Sequence, residues 1–391
     1  MSATLPAWLS ARVDDLADRM EKAQPYPFRH PEDQDGMLRL HHNDYLFLAG
    51  RPEVRQAKME SIRRWHDGAA RGSLVYNFDS QDGDHARFRT CLAASMQARS
   101  VVLATSGWAA NVGLIQALAR KDLPVYLDSR AHASLWDGAR LAGARIGVVR
   151  HQDPEFLRRK MRRDGSGIVC IDAFYSNSGG VCSLEDWVDV CQEQGGLLIL
   201  DEAHSLAMVG DQAGGWAVEC GLADRIPFRT ASLSKALGGH GGIVACSEEM
   251  ARFLVHQAHS LVFSSSTDPV ASAAHLAALE IAKREPDLAA SALQAAEVFR
   301  AGLVAEGVDV GCSACQIVSL ELDSEIATAA LYGRLRDQGI LSSVFTHPAM
   351  PYGKGLVRFS FHTGLDLGRV AQAAVVVART LDALAIPRGS V

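Results

Sequence analysis

The sequence predicts an α/β protein in which a mostly parallel sheet is covered by helices on both faces. From about residue 86 onward, short continuously apolar runs alternate with helical stretches, as is typical of parallel strands buried on both sides. After Pro286 the pattern changes, which predicts a smaller C-terminal α+β domain. A length of 391 residues exceeds what one simple core needs. We therefore predict an N-terminal arm (1–50), a large domain (51–285) and a small C-terminal domain (286–391).

Each element follows from a local pattern. Amphipathic spacing predicts helices over 7–24 and 53–66, and the Gly- and polar-rich stretch 68–84 is predicted to be a functional loop. Apolar runs predict the strands of the large domain, which are SVVLAT (100–105), VYLD (125–128), IGVVR (146–150), GIVCIDA (167–173), LLILDEA (197–203), FRTASL (228–233), GGIVAC (241–246) and SLVFSS (260–265). The elements of the small domain are a helix over 287–306, the strand QIVSLEL (316–322), a helix over 324–338, the strands LSSVF (341–345) and LVRFSF (356–361), and a helix over 366–385.

The composition indicates an ordinary globular chain that can bury a large core. Hydrophobic residues make up 48% and charged residues 21%, and the net charge is −6 without a basic tail or stripe, which argues against nucleic acid as a partner. Eight scattered cysteines suggest reduced thiols in a cytoplasmic protein, and the lone pair Cys312 and Cys315 lacks the second half of a zinc site, so we predict no metal. The N-terminus resembles neither a signal nor a transit peptide, and no apolar run predicts a membrane span.

Lys235 follows a predicted strand in the run TASLSKALGG (230–239). Ligands of such sheets bind beyond the carboxyl ends of the strands, and a partly desolvated lysine there is neutral and nucleophilic. The hydroxyls of Ser232 and Ser234 suit a phosphate, and the glycines allow a close backbone approach. Taken alone, this lysine has the alternative of a surface residue in a turn.

Asp201 ends the apolar strand LLILDEAH (197–204), where an unpaired carboxylate would be costly. A protonated pyridine nitrogen is a partner for such a carboxylate, and the pair makes the heterocycle an electron sink. The alternative is an N-cap on a strand-to-helix turn.

Further positions at or near predicted strands carry candidate ligand groups. The turn at Ser106, Gly107 and Trp108 opens a helix, whose N–H groups and dipole suit a phosphate. His132 stands at a strand-to-helix junction, where it can stack on a planar cofactor or serve a structural role. Ser176 lies just past another apolar strand, and Arg358 lies within one, where a substrate carboxylate or an internal salt bridge would pair with it.

Together these runs resemble the α-oxoamine synthases, a family of fold-type I pyridoxal-phosphate (PLP) enzymes. They stand in the family's order and spacing over nearly the whole chain. The matching runs are NDYLFL (43–48), SGWAAN (106–111), AHASLWDGAR (131–140), FYSNSGG (174–180), DEAHSLAMVG (201–210), TASLSKALGG (230–239), FSSSTDP (263–269) and VRFSFHT (357–363).

The resemblance implies PLP as the cofactor and four catalytic residues. Lys235 would carry PLP as a Schiff base and move protons, Asp201 would pair with the pyridine nitrogen, His132 would stack on the ring, and His204 would bind the phenolic oxygen.

The resemblance also implies the remaining binding residues and a homodimer with shared active sites. Ser176 would bind the phenolic oxygen with His204, and Asn43 and Arg358 would face the amino-acid substrate. The phosphate would be held by Ser106, Gly107, Trp108 and Ser232, together with Ser265 of the partner subunit.

Within the family, one branch is most similar. Members that use glycine, alanine or serine carry a Gly-Ser-rich loop ending in Arg, whereas this chain reads ARGSLVYNFDSQDGDHARF (70–88). This departure, with Trp108, the FYS start of 174–180 and SSVFTHPA (342–349), resembles the quorum-sensing autoinducer synthases. Those enzymes condense a medium- or long-chain acyl-CoA with 2-aminobutyrate or S-adenosylmethionine to a long-chain α-aminoketone.

Three alternatives remain at this stage. One is a housekeeping member of the family, such as an 8-amino-7-oxononanoate synthase or a 2-amino-3-ketobutyrate CoA ligase. The second is an aminotransferase or lyase, and the third is a nucleotide-binding or regulatory module suggested by GGHGG (238–242). The chain shows neither a G-x-G-x-x-G after its first strand nor a Walker lysine pattern, which disfavours the third.

Overall fold

The computed structural model describes residues 6–22, 36–64 and 83–389. Within these ranges the strands, numbered in chain order, are β1 Leu38–Arg39, β2 Ser100–Ala104, β3 Pro124–Asp128, β4 Arg145–Val149, β5 Ile168–Asp172, β6 Leu197–Asp201, β7 Phe228–Ser232, β8 Gly242–Cys246, β9 Ile317–Leu322, β10 Ile340–Leu341, β11 Ser343–Phe345 and β12 Gly355–Ser360. The helices are α1 Ala7–Lys22, α2 Pro52–Arg64, α3 Asp84–Ser95, α4 Gly107–Leu118, α5 Ala133–Leu141, α6 Pro154–Asp164, α7 Leu184–Glu193, α8 Trp216–Glu219, α9 Glu248–Gln257, α10 His259–Val262, α11 Pro269–Arg284, α12 Asp287–Ala305, α13 Glu325–Asp337 and α14 Leu367–Ala383. The predicted loop at 68–84 lies almost wholly outside the described residues.

The main sheet has the strand order β2-β8-β7-β6-β5-β3-β4. The strands from β7 to β4 are parallel, and β8 is antiparallel to both of its neighbours. Along β2, Val101 and Leu103 pack into one core with α3 and α11, whereas Val102 and Ala104 pack into another with α4 and α9. The prediction of a mostly parallel sheet covered on both faces is therefore confirmed.

The carboxyl ends of the parallel strands gather polar groups. Asp128, Asp172 and Asp201 end β3, β5 and β6, and Ser232 ends β7. Asp172 lies opposite Asp201 in the register of β5 and β6, and Asp201 lies opposite Thr230 of β7. Because these strands run parallel, this sheet edge brings side chains together that are far apart in the chain.

One predicted strand is wrong. The run SLVFSS (260–265) begins inside α10 and continues into a turn. Ser260 donates its hydroxyl to the backbone oxygen of Ala109 in α4 at 2.7 Å, and Leu261 is buried. A Cβ at Gly113 would overlap the Ser260 hydroxyl, so a glycine in α4 makes room for this helical turn.

The chain forms two compact units. The described residues of Asn43–Gln294 and His362–Gly364 make up one, and those of Met1–His42, Ala295–Phe361 and Leu365–Val391 make up the other. In the second unit, antiparallel strands in the order β11-β12-β9 and the rings of Phe299, Phe359 and Phe361 form the core. These bounds differ from the predicted arm (1–50), large domain (51–285) and small domain (286–391), a division that stays a prediction.

One described helix, α12, is long and apolar enough to cross a membrane by length and composition alone. A single helix of this kind says little about a membrane, because core helices share the same length and composition. Ala295, Phe299 and Leu303 of α12 are fully buried in the core of the second unit.

Candidate active site

A pocket opens beyond the carboxyl ends of β5, β6 and β7, all in the larger unit. It collects seven of the residues predicted to bind PLP, together with four that were not predicted. The lining residues are Gly107, Trp108, Asn111, His132, Asp172, Phe174, Asp201, Ala203, His204, Ser232 and Lys235.

Asp201 is held by two hydrogen bonds at the end of β6, where only 6% of its surface is exposed. Asn111 donates its amide Nδ2 to Oδ2 at 2.6 Å, and the backbone N–H of Ala203 donates to Oδ1 at 2.9 Å. Turns rather than a helix follow the strand, so the carboxylate is not a helix N-cap. Its remaining lone pairs are available to a cationic group in the pocket.

His132 is the N-cap residue of α5 and lines the pocket. Its Nδ1 lies 2.7 Å from the hydroxyl of Ser134 and accepts the backbone N–H of the same residue at 3.3 Å. Its own backbone N–H donates to Oδ1 of Asp172 at 3.1 Å. The junction therefore fixes the imidazole at the sheet edge.

The start of α4 approaches the end of β7 very closely. A Cβ at Gly107 would stand 2.8 Å from Cβ of Ser232, so only glycine fits there. Ser106 caps the helix by accepting the N–H of Ala109 at 3.0 Å and is not among the residues that line the pocket. The N–H groups that open α4, beginning with Gly107 and Trp108, form a site that suits an anion.

Lys235 lies half-buried in the turn after β7. The turn is closed by backbone bonds, from the N–H of Gly238 to the oxygen of Lys235 at 2.8 Å and from the N–H of Gly239 to the oxygen of Leu233 at 3.0 Å. A Cβ at Gly239 would overlap Nε2 of His275, a residue of α11. The glycine-rich run thus allows a tight turn that carries the lysine to the pocket.

His275 makes the stability of this region depend on pH. Burial, followed by the positive charges of Lys58 and His240, lowers the pKa of His275 from 6.5 to about 3. The unfolded chain binds a proton below pH 6.5 that the folded chain rejects, so the stability present above pH 6.5 is lost as the pH falls toward 3. From pH 7 to pH 5 the loss is about 2 kcal/mol of unfolding free energy.

The variant His275→Gln should remove that loss. Between pH 7 and pH 5, urea unfolding should show that the unfolding free energy of wild type falls by about 2 kcal/mol more than that of the variant. The exposed His256 provides a matched control, because His256→Gln should leave the wild-type difference in place. Parallel pH profiles for wild type and His275→Gln would contradict the prediction.

His204 lines the pocket and is supported by a tyrosine that sequence reasoning missed. The hydroxyl of the fully buried Tyr45 lies 2.7 Å from Nδ1 of His204. The same hydroxyl reaches Oδ1 of the predicted substrate residue Asn43 at 3.5 Å. Tyr45 stands within the matched run NDYLFL, which is the pattern that could have indicated it.

Asp172 is a second pocket residue that the sequence analysis missed, and its surroundings shift its pKa. Burial raises its pKa well above the ordinary value, and the neighbouring carboxylates of Asp201 and Asp128 raise it further. The Asp128 carboxylate itself forms hydrogen bonds with Nδ1 of His151 at 2.9 Å and with the hydroxyl of Tyr175 at 3.0 Å. Burial and the two neighbouring carboxylates thus favour the neutral form of Asp172.

Five predicted residues do not line the pocket, and their roles stay predictions: Asn43, Ser106, Ser176, Ser265 and Arg358. Ser176 lies half-buried in a turn after β5, and Ser265 is exposed. Arg358 is buried in β12 of the other unit, with its guanidinium carbon 4.9 Å from the ring centroid of Phe345.

The grouped side chains fit PLP. Lys235 supplies an amine for the aldehyde, Asp201 a carboxylate for the ring nitrogen, and the start of α4 N–H groups for the phosphate. The approach of Gly107 to Ser232 forms a cradle that a Cβ would fill. The fold and this site together define a PLP-dependent enzyme of fold type I.

Comparison with known proteins gives the family. The family model for aminotransferase class I and II matches residues 35–376. The chain is 31% identical to the CAI-1 autoinducer synthase of Vibrio campbellii over 94% of both chains, and 31% identical to an 8-amino-7-oxononanoate synthase of Anaeromyxobacter sp. over 96% of both. Its fold matches that of a serine palmitoyltransferase from Sphingomonas wittichii with a TM-score of 0.88, at 23% identity over 98% of this chain and 100% of that chain. The chain belongs to the aminotransferase class I and II family and, within it, to the α-oxoamine synthases, which confirms the predicted fold, enzyme class and cofactor.

Proposed function

We propose that this enzyme condenses a medium- or long-chain acyl-CoA with 2-aminobutyrate or S-adenosylmethionine, and that the resulting long-chain α-aminoketone is the precursor of a quorum-sensing autoinducer. The observation that carries this proposal is the pocket wall formed by Trp108 and Phe174. Both residues belong to runs that resemble the autoinducer branch. The indole of Trp108 is 47% exposed, which leaves apolar surface for an acyl chain.

The residues of the pocket divide the chemistry among them. PLP, when bound, supplies an electron sink for negative charge at Cα of the donor. Lys235 would hold the cofactor and, as a free amine, take the Cα proton. Asp201 would hold the ring nitrogen in its charged form, and His132 would cover the ring.

The proposed condensation forms and breaks the following bonds. Cα of the donor bonds to the thioester carbonyl carbon, and CoA leaves as its thiol. The donor carboxylate leaves as CO₂, and Cα regains a proton, for which Lys235 in the pocket is again the candidate donor. His204 would bind the phenolic oxygen of the cofactor, and the Tyr45 hydroxyl, 2.7 Å from Nδ1 of His204, would orient that imidazole.

The proposal includes a homodimer in which Ser265 of the partner subunit completes the phosphate site. Ser265 is exposed and absent from the pocket of its own chain, which supports such a contribution. The cytoplasmic location stays a prediction.

Thiol release should be measured over a matrix of acyl-CoA chain lengths and amino donors, and each ketone identified by mass spectrometry. We expect kcat/KM for medium- or long-chain acyl-CoA with 2-aminobutyrate or S-adenosylmethionine to exceed that of short acyl-CoA with glycine or alanine by about tenfold or more. The variant Lys235→Ala, which lacks the pocket lysine, serves as the negative control.

Two outcomes would contradict the proposal. Preference for a short acyl-CoA and a small amino acid would indicate a housekeeping synthase, which the equal 31% identity to an 8-amino-7-oxononanoate synthase favours as the second candidate. Turnover without any acyl-CoA would indicate an aminotransferase or lyase.

A further inference from the structure

A buried chain of hydrogen bonds runs beneath the pocket between Asp201 and His132. Its two links are Asn111 and Ser134, which are 1% and 0% exposed. Asn111 Nδ2 lies 2.6 Å from Oδ2 of Asp201 and 2.8 Å from the hydroxyl of Ser134, and that hydroxyl lies 2.7 Å from Nδ1 of His132. The chain thus joins α4, α5 and β6.

The position of each proton in this chain follows from its neighbours. Thr230, fully buried in β7, donates its hydroxyl to Oδ1 of Asn111 at 2.6 Å. A reversed amide would direct its oxygen at the Asp201 carboxylate, so Nδ2 must face Asp201 and Ser134. Both hydrogens of Nδ2 are then used, one for each acceptor.

The imidazole is the end of the chain. Ser134 accepts from Asn111, and its own hydroxyl proton goes to Nδ1 of His132. The backbone N–H of Ser134 also donates to Nδ1, at 3.3 Å, and a backbone N–H has no other role than donor. Nδ1 therefore accepts two hydrogen bonds, so the proton of the neutral ring resides on Nε2.

We propose that Asn111 and Ser134 are positioning residues that couple the Asp201 carboxylate to the His132 imidazole, holding His132 as the Nε2–H tautomer at the PLP site. One relay then sets both the group that pairs with the ring nitrogen and the group that covers the ring. Breaking the relay at either link leaves buried polar atoms without partners and loosens both ends together. The proposal concerns the cofactor site and does not depend on which acyl-CoA or donor is used.

The tautomer can be measured directly in the full-length apoprotein labelled with ¹⁵N-histidine. We expect the spectrum of His132, assigned by its loss in His132→Gln, to show an unprotonated Nδ1 and a protonated Nε2. In Ser134→Ala this resonance pair should move toward a mixture of tautomers. The dissociation constant of PLP, measured by titrating the apoprotein, should rise about tenfold.

Ser272 offers a matched control, because this serine is buried like Ser134 and its hydroxyl lies 2.8 Å from Nδ1 of His85, in a serine–histidine pair that does not line the pocket. Ser272→Ala should leave the His132 spectrum and the affinity for PLP unchanged. The variant Asn111→Leu should disturb His132 as Ser134→Ala does, although it does not touch the ring.

A His132 that carries its proton on Nδ1 in wild type would overturn the proposal without the need for any variant. Unaltered His132 resonances in both Ser134→Ala and Asn111→Leu would do the same. Neither outcome bears on the acyl-CoA preference, so failure here is separate from failure of the proposed function.

Discussion

Lys235→Ala is expected to lower acyl-CoA-dependent turnover by about 10³-fold or more, because the variant loses both the anchor of the cofactor and the amine that moves the Cα proton. Among the described residues, Lys235 is the one lysine that lines the pocket. The fold should survive, since the turn is closed by backbone bonds of Gly238 and Gly239 that do not involve the side chain. Thiol release, together with the absorbance of lysine-bound PLP and thermal unfolding, measures all three effects.

The exposed lysine Lys121, on the loop before β3, provides the control for this prediction. Lys121→Ala should keep wild-type turnover and absorbance. If Lys235→Ala retained near-normal activity, the assignment of this lysine would be wrong.

Asp201→Asn is expected to lower kcat by about 10²–10³-fold, the range seen when one preorganised electrostatic contact is removed from an active site. An amide at this position can accept the N–H of Ala203 through its single oxygen, but its NH2 group then faces Nδ2 of Asn111 as a second donor, so one of the two hydrogen bonds is lost. The amide also has no negative charge and cannot hold a ring nitrogen in its cationic form. Steady-state kinetics with saturating PLP separates this loss from weaker cofactor binding.

Asp172→Asn is the matched control, because Asp172 lies opposite Asp201 on the neighbouring strand. Burial, with the nearby carboxylates, raises the pKa of Asp172 and favours its neutral form, so we expect an amide to replace it with little loss of activity. With a raised folded pKa, the wild-type residue stabilises the fold below its unfolded pKa and loses that contribution as the pH rises. Asp172→Asn should therefore gain stability relative to wild type above about pH 4. Equal losses of activity in both variants would show that the charge of Asp201 is not what matters.

Much of the site was predictable because parallel strands buried on both faces leave continuous apolar runs, and the residues after those runs lie at one sheet edge. Asp201, Ser232 and Lys235 were found in this way. The glycines of the run 230–239 were likewise predicted to allow a close approach, and at Gly239 an added Cβ would overlap Nε2 of His275. These features are local, so a short window of sequence contains them.

The contacts between distant segments were not predictable. Asn111 meets Asp201 across 90 residues, and Tyr45 meets His204 across 159. The run at 260–265 is apolar and short, a pattern that strand and helix share, and its packing on Gly113 decides for a helix.

The sequence by itself determined the class of fold, most of its strands and helices, the lysine, the strand-end carboxylate and the cofactor they imply. The tertiary structure alone decided that Asp172 is the strand-end carboxyl whose pKa burial raises, and that Asn111 and Ser134 lie between Asp201 and His132. Periodicity and strand ends are properties of neighbouring residues, whereas protonation depends on burial and on partners that only the folded chain brings within hydrogen-bonding distance.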